Sequence, residues 1–593
     1  MKKFLKMVLA VICGVLLVNV VLFMLISGFV GALSASGSSQ PSLPKSGVLS
    51  IDMSSMMIGE QSAEANPMAM LQGGAEVSTI GLWDAVQALN AAAIDPAVKY
   101  IYLKTDGNLT GSANLEEFRK ALSRFRSSGK AVISYIESPT TGSYYLASVA
   151  DKVYMTANPG ATTMVSGVSG QLFFLKDLLD KLGVNVQLIR HGKYKSAGEM
   201  FVRSTSSPEN LEQNQSSVNS IWGTLAAGIA ESREITVEDL NASIDELRLC
   251  NPEDFMTEHL VDTILTQEQL KDKLATLAVV DKFKDVKFID FADYVAAKAT
   301  QNTKAKQKIA VIYADGEIID GSAKQQVAGD RFASVIAKVR ADSTVKAVVL
   351  RVNSPGGSVL ASDKMKAELD ALKAVKPLVA SYGAYAASGG YWISGNCDRI
   401  FSDETTLTGS IGCFSMIPDF SGTLKNVAHV NITSVNSNKH GDMYGLMRPL
   451  DKDEEAYLQK SVEYIYTNFV NIVAEGRNLD ADYVDSIGQG RVWTGAEGLE
   501  VGLVDEIGTL EDAVAYAAAL AGNDNISAWN VAGYPKPLTT MEMIMSSFGG
   551  NSTENVFAGT PLEGTANALL NWSASMKGGA KMIARMPYGI VIR

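Results

Sequence analysis

The longest apolar stretch of the chain comes first. Met7 to Leu33 is 27 residues without a charged side chain, preceded by Lys2, Lys3 and Lys6. As a helix rising about 1.5 Å per residue it would measure roughly 40 Å, enough to cross a hydrocarbon core of about 30 Å with some tilt. A cleaved signal peptide has a shorter apolar region, about 7–15 residues, although the small residues around Ala32-Leu33-Ser34-Ala35 leave a cleavage point open. The lysines lie ahead of the span and no cation follows until Lys45. The positive-inside rule therefore puts the rest of the chain outside the cytoplasm. The expectation is one transmembrane anchor over residues 1–34, then a linker over 35–46 that is rich in Ser, Gly and Pro.

Beyond the linker the pattern changes. Ile309 to Tyr313, Ala347 to Val352 and Leu378 to Ser381 are short, apolar, β-branched runs that read as buried strands. Asp330 to Arg340 and Ser362 to Ala374 have helical spacing. Strand–helix–strand alternation with apolar strands predicts parallel βαβ units and an α/β fold.

That pattern occurs twice. Setting Tyr100–Lys104 against Ala347–Arg351 gives an offset of 247, which also places Ser134-Tyr135 on Ser381-Tyr382, Gly142 on Gly389, Tyr144 on Tyr391 and Asp151 on Asp398. Leu260-Val261-Asp262 matches Leu503-Val504-Asp505 at 243, a slip that short loop deletions explain. So ordered a series predicts tandem repeats: a first over 47–300, a second over 301–533, and a tail over 534–593. The tail is rich in Gly, Ser and Met, and no function is assigned to it.

Composition narrows the function classes. A chain of 593 residues is too long for one core. A net charge of −12 argues against a nucleic-acid binder, which would carry a basic face. The four cysteines are scattered and the four histidines lack ligand spacing, so neither a disulfide framework nor a metal site is predicted. The expectation is an enzyme without metal or cofactor.

Two segments carry candidate chemistry. Asn353-Ser-Pro-Gly-Gly-Ser358 follows a strand and precedes a helix, and its paired Gly356 and Gly357 let backbone N–H groups approach a ligand. That suits an oxyanion hole; a tight turn is the plainer reading. Ala386-Ala387-Ser388-Gly389-Gly390-Tyr391-Trp392 opens a helix after a strand, so Ser388 is a candidate nucleophile, with its own N–H or that of Gly389 as a second oxyanion donor. Close packing by small residues is the plainer reading here. The repeats help to decide, because Leu109 and Thr110 lie opposite the two glycines and Thr141 lies opposite Ser388. A turn required by the fold should occur in both copies, whereas one required by chemistry need occur in one.

A serine nucleophile needs a base. His429 and His440 are downstream, with no local signature. The alternative is a lysine, whose ordinary pKa of about 10.4 must fall by about 3 for a useful neutral fraction at pH 7. His191-Gly-Lys193-Tyr194-Lys195-Ser196-Ala197-Gly198 is the candidate segment, with apolar Met200-Phe201 following and Lys193 as a repelling neighbour. By composition alone it would be a solvated loop.

Together with Leu407-Thr408-Gly409-Ser410-Ile411-Gly412, these segments resemble the signal peptide peptidase A family in its long, duplicated form, related to the Clp protease and crotonase superfamily. The resemblance runs from the anchor to about residue 533. It implies Ser388 as nucleophile and Lys195 as base, Ser410 hydrogen-bonded to the lysine, and an oxyanion held near Gly356, Gly357 and Gly389. It also implies a homotetramer on the outer face of the plasma (inner) membrane, on the periplasmic side, cutting leftover signal peptides and other apolar peptides. Lys439 lies near the position matching Lys195 and is a rival base, since the short form of the family draws both groups from one copy. A crotonase-type acyl-CoA enzyme, which shares the Gly502–Asp505 segment, and a non-catalytic membrane scaffold are the competing classes.

Overall fold

The computed structural model describes residues 41–63, 77–107, 110–299, 304–324, 326–538 and 582–586, together with residues 14 and 542. Apart from Gly14, the expected anchor lies outside the described residues. Among the described residues, no helix is long and apolar enough to cross a membrane.

Strands β1 (Gly47–Asp52), β4 (Val98–Lys104), β5 (Val132–Ile136), β6 (Lys152–Thr156), β8 (Thr263–Leu265) and β9 (Phe288–Asp290) form a parallel sheet in the order β8-β6-β5-β4-β1-β9. Beside it β2 (Met56–Gly59) and β3 (Ser78–Gly81) make a short parallel pair. The second sheet runs β19 (Val492–Thr494), β17 (Leu407–Gly409), β15 (Leu378–Ala387), β13 (Val345–Ser354), β10 (Lys308–Asp315), β21 (Asn530–Tyr534). From β15 it branches to β16 (Arg399–Ser402) and β20 (Glu506–Ile507). Val132 to Ile136 and Leu378 to Ser381 are buried throughout, as strands covered on both faces require.

The helices repeat with the sheets. Leu82–Ile94 and Gly329–Ala341 start 247 residues apart, as do Ser112–Ser127 and Val359–Lys373. Pro208–Arg233 and Lys452–Arg477, each of 26 residues, start 244 apart. Two expected boundaries move. The strand read as ending at Ser381 continues to Ala387, and the strand read as ending at Val352 runs on to Ser354, with a further short strand from Gly356 to Ser358.

A third sheet joins the repeats, in the order β12 (Val327–Ala328), β11 (Ile318–Ile319), β14 (Gly356–Ser358), β22 (Ile583–Arg585), β18 (Phe414–Asp419), β7 (Asn185–Arg190). Here β7, from the first repeat, runs antiparallel to β18 of the second, with Arg190 opposite Phe414 and Asn185 opposite Asp419. Val186, Phe414 and Met416 are buried in one small apolar cluster with Phe201, which fixes that register. A buried ionic contact ties the copies elsewhere: Arg351 on β13 meets Glu60 at 2.7 Å and Glu117 at 2.8 Å.

Candidate active site

β15 delivers Ser388 to the start of the helix Gly389–Ser394 in an unusual backbone conformation, φ 54° and ψ −111°. Non-glycine residues avoid positive φ, so the surroundings must hold it there. They do so on both sides. The Ser388 N–H donates to the Gly409 carbonyl at 2.8 Å, and a Cβ on Gly390 would lie 2.7 Å from the Ser354 carbonyl oxygen. Only small residues let the helix press this closely onto β13. Because the Ser388 N–H is already engaged, it is not the second oxyanion donor that the sequence left open. Gly389 is the remaining candidate.

The glycine pair stands across the site. Gly356 has φ 94° and donates its own N–H to Ser354 Oγ at 3.2 Å. A Cβ there would lie 2.1 Å from the carbonyl oxygen of Ala584 and 2.6 Å from the Gly389 nitrogen. One on Gly389 would lie 3.1 Å from the Gly357 nitrogen and 3.2 Å from that same oxygen. The Gly356, Gly357 and Gly389 backbones therefore crowd together beside the place where a carbonyl oxygen, that of Ala584, sits.

Lys195 reaches this place from the first repeat. Its Nζ is 2.8 Å from Ser388 Oγ, 3.0 Å from Ser410 Oγ and 3.1 Å from the Ser410 carbonyl oxygen. The residue is fully buried, and burial brings its ammonium down to about 7. The nearby Cys413 thiol is itself pushed up to about 12 by burial and stays neutral at pH 7, so it supplies no counter-charge. A neutral amine has two N–H groups and one lone pair. The Ser410 carbonyl and hydroxyl take the donors, which leaves the lone pair for the proton of Ser388.

The segment around Lys195 is held by polar contacts that the sequence reading missed. Arg190, at the end of β7, donates to the Lys195 carbonyl at 2.7 Å and to buried Glu199 at 3.0 Å. Gln213 donates to the Tyr194 carbonyl at 3.0 Å, and Tyr194 N–H donates to the Gln489 carbonyl at 2.9 Å. Beneath the lysine lies Gly490, with φ 81°, where a Cβ would fall 2.5 Å from the Lys195 nitrogen. The glycines flanking Gln489 were a readable signal of close approach.

The other candidates stand apart. Lys193 is exposed and lies over the Tyr194 ring rather than against Lys195. Lys439 is exposed and paired with Asp453 at 2.7 Å. His440 meets Glu454 at 2.9 Å, and His429 is exposed; no hydrogen bond between either and Ser388 occurs among the described residues. His440, Asp451 and Glu454 bring possible metal-ligand atoms within 4.8 Å of one another, but Arg448 already bridges both oxygens of Glu454.

A serine hydroxyl against a buried amine, on an α/β scaffold with paired glycines beside it, fits a serine hydrolase that uses a lysine as base. Comparison with known proteins gives the family. The sequence profile of peptidase family S49 matches residues 124–281 and 370–524, one stretch in each repeat. "Protease 4" of Haemophilus influenzae is 33% identical over 541 residues, covering 88% of this chain and 87% of that one. "Protease 4" of Salmonella typhi is 36% identical, covering 79% and 76%. The chloroplastic serine protease SPPA of Arabidopsis thaliana is 29% identical, covering 78% and 68%. The chain belongs to peptidase family S49 and is a serine protease of the signal peptide peptidase type. That membership sets aside the acyl-CoA enzyme and the scaffold. A solved structure of a ClpP1 point mutant from Listeria monocytogenes aligns over 34% of this chain and 93% of that one, with a TM-score of 0.24 and 15% identity.

Proposed function

We propose that the protein is a membrane-anchored endopeptidase that uses Ser388 as nucleophile and Lys195 as general base, with remnant signal peptides and other apolar peptides as substrates. One observation carries this reading: the buried, lysine-to-serine contact of 2.8 Å that spans the two repeats. Ser388 Oγ attacks the peptide carbonyl as Lys195 takes its proton. The carbonyl oxygen becomes an oxyanion facing the N–H groups of Gly357 and Gly389, where each donor contributes roughly 3–4 kcal/mol to the transition state. The lysine then returns the proton to the leaving amine, and water repeats the sequence on the acyl-enzyme. Gly356 keeps the approach open, and Ser410 orients the amine through both of its oxygens.

The apolar run from Met7 to Leu33 supports an N-terminal single-pass anchor, and the lysines before it support a catalytic body on the extracytoplasmic, periplasmic side of the inner membrane. The resemblance to signal peptide peptidase A supports assembly as a homotetramer. An anchored enzyme with this orientation would meet signal peptides after their release in the bilayer.

The test is cleavage of an apolar peptide by the purified full chain and its variants. Ser388→Ala and Lys195→Ala are each expected to lower kcat by about 10⁴-fold or more, with His440→Ala unaffected. Near-normal turnover by Lys195→Ala removes the base assignment.

A further inference from the structure

The strand that carries the nucleophile leaves its regular ladder just before it ends. Val352 on β13 pairs with Tyr382 on β15, and the next pair is Ser354 with Ala386. Asn353 alone therefore stands opposite Gly383, Ala384 and Tyr385. A bulge of this kind takes backbone groups out of the ladder, and along a strand as buried as β15 they need other partners.

Asn353 supplies one with its side chain. Its Oδ1 accepts the Tyr385 N–H at 3.2 Å, and its Nδ2 donates to Asp315 Oδ1 on β10 at 2.8 Å. An ionised carboxylate can only accept, so it fixes which way the amide faces. The fit is close: a Cβ on Gly383 would lie 2.9 Å from Asn353 Cβ and 3.1 Å from its Cγ. The backbone of Asn353 is held too, its carbonyl accepting the Gly316 N–H at 2.9 Å, and it runs directly into the Ser354–Gly357 turn. The first repeat closes the matching gap with an acid. Asp106, 247 residues earlier, accepts the Glu137 N–H beyond β5. An ionised carboxylate has no N–H to give, so it could not make the outward bond to an acid that Asn353 makes. The amide stands in the copy that holds the strained serine.

We propose that Asn353, braced by Asp315, is a positioning residue for the nucleophile, a role that rests on the Ser388–Lys195 reading above. Its effect passes along the backbone. The Tyr385 bond pins β15 three residues ahead of Ser388, and the Gly409 carbonyl pins the Ser388 N–H itself. A backbone at φ 54° persists only where its surroundings over-determine it. With the first pin gone, residues 385–388 relax toward ordinary angles and Ser388 Oγ moves off the amine. A displacement of about 1 Å costs about 100-fold in rate, while the groups that hold the peptide stay in place.

The test is a reversal of donor and acceptor in the full chain, read by cleavage of an apolar peptide. Asn353→Asp keeps the shape but sets two carboxylates against each other where the 2.8 Å bond was. Its kcat should fall about 100-fold with KM within about twofold. Asp315→Asn leaves an oxygen to accept from Asn353 and should stay within about threefold of the unaltered kcat. The double variant Asn353→Asp with Asp315→Asn restores the bond with its direction reversed, and should recover at least about tenfold of the lost kcat. A merely structural role would not yield that rescue. Unaltered kcat in Asn353→Asp, or a double variant no more active than Asn353→Asp, overturns the proposal. If Asn353→Asp does not fold, Asn353→Ala decides: its Tyr385 amide should exchange with solvent faster than in the unaltered chain, and unaltered exchange overturns the proposal. Ser388→Ala, run alongside, keeps the two readings apart, because cleavage by that variant counts against the Ser–Lys pair itself.

Discussion

The two repeats part where their matched strands, β5 and β15, hand over to a helix. In the first, Thr140 caps the helix Thr141–Ala147 with relaxed backbone angles, φ −99° and ψ 170°, and forms a reciprocal capping box with Ser143. In the second, the cap position is Ser388, at φ 54° and ψ −111°, and its side chain makes no capping bond. The hydroxyl goes to Lys195 instead. A cap contributes about 1 kcal/mol to a helix, and a strained residue of this kind costs about 1–3 kcal/mol. The copy that holds the nucleophile thus gives up local stability that the other copy keeps. The lysines divide the opposite way, since Lys195 of the first repeat is buried while Lys439 of the second is exposed and salt-bridged. Each repeat supplies one half of the pair, and the β7–β18 ladder brings the halves together.

The same comparison extends to stability. Arg351 and Lys104 stand at matched places, 247 residues apart, on β13 and β4. Arg351 is 1% exposed between Glu60 and Glu117, whereas Lys104 meets Asp52 in a pair about one-third exposed. Removing a buried partner strands charge, so Arg351→Met should destabilise the chain by about 3–5 kcal/mol. Lys104→Met should cost no more than about 1 kcal/mol. Urea unfolding midpoints separate the two, and equal losses would mean that the contact between copies is no stronger than a surface pair.

Some of this contrast was legible in the sequence. The strands at Ile309–Tyr313 and Ala347–Val352 were readable because burial on both faces demands unbroken apolar runs. The end of β15 was not, because Gly383 and three alanines carry no periodic signal, and its extension depends on pairing with β17. Ser388 and the paired glycines stood out only because the first copy lacks them. Lys195 looked like a solvated loop residue, since what buries it comes from far along the chain: Gln489 and Gly490, the Gly412 backbone, and a strand pairing between repeats. β22 was illegible for a related reason. Three residues have no period, and their place is defined wholly by the strands they lie between.

The pH dependence sharpens the assignment of the base. Burial lowers the Lys195 ammonium to about 7, and the neutral amine is the form that accepts the proton from Ser388. The sign follows: kcat/KM rises with pH, loses about tenfold for each unit below 7, and levels off above it. A profile falling through the same range would mean that a protonated group is required, and would exclude the lysine as base. The midpoint should shift in no variant that leaves the cavity around Nζ unchanged.

Lys439→Ala is such a variant, and the smallest effect is expected from it. The side chain is exposed and its pKa is raised by the hydrogen bond to Asp453, so at neutral pH it is a charged ammonium with no lone pair to offer. To act as base it would have to leave that partner and enter a cavity that the Lys195 side chain already fills, against Gly412 and between Ser388 and Ser410. Surface substitutions away from such a site barely alter free energies. The kcat of Lys439→Ala should therefore stay within about twofold of the unaltered chain, with the midpoint of its pH profile in place. A large loss of kcat in Lys439→Ala, with Lys195→Ala still active, would reverse the comparison and place both halves of the pair in the second repeat.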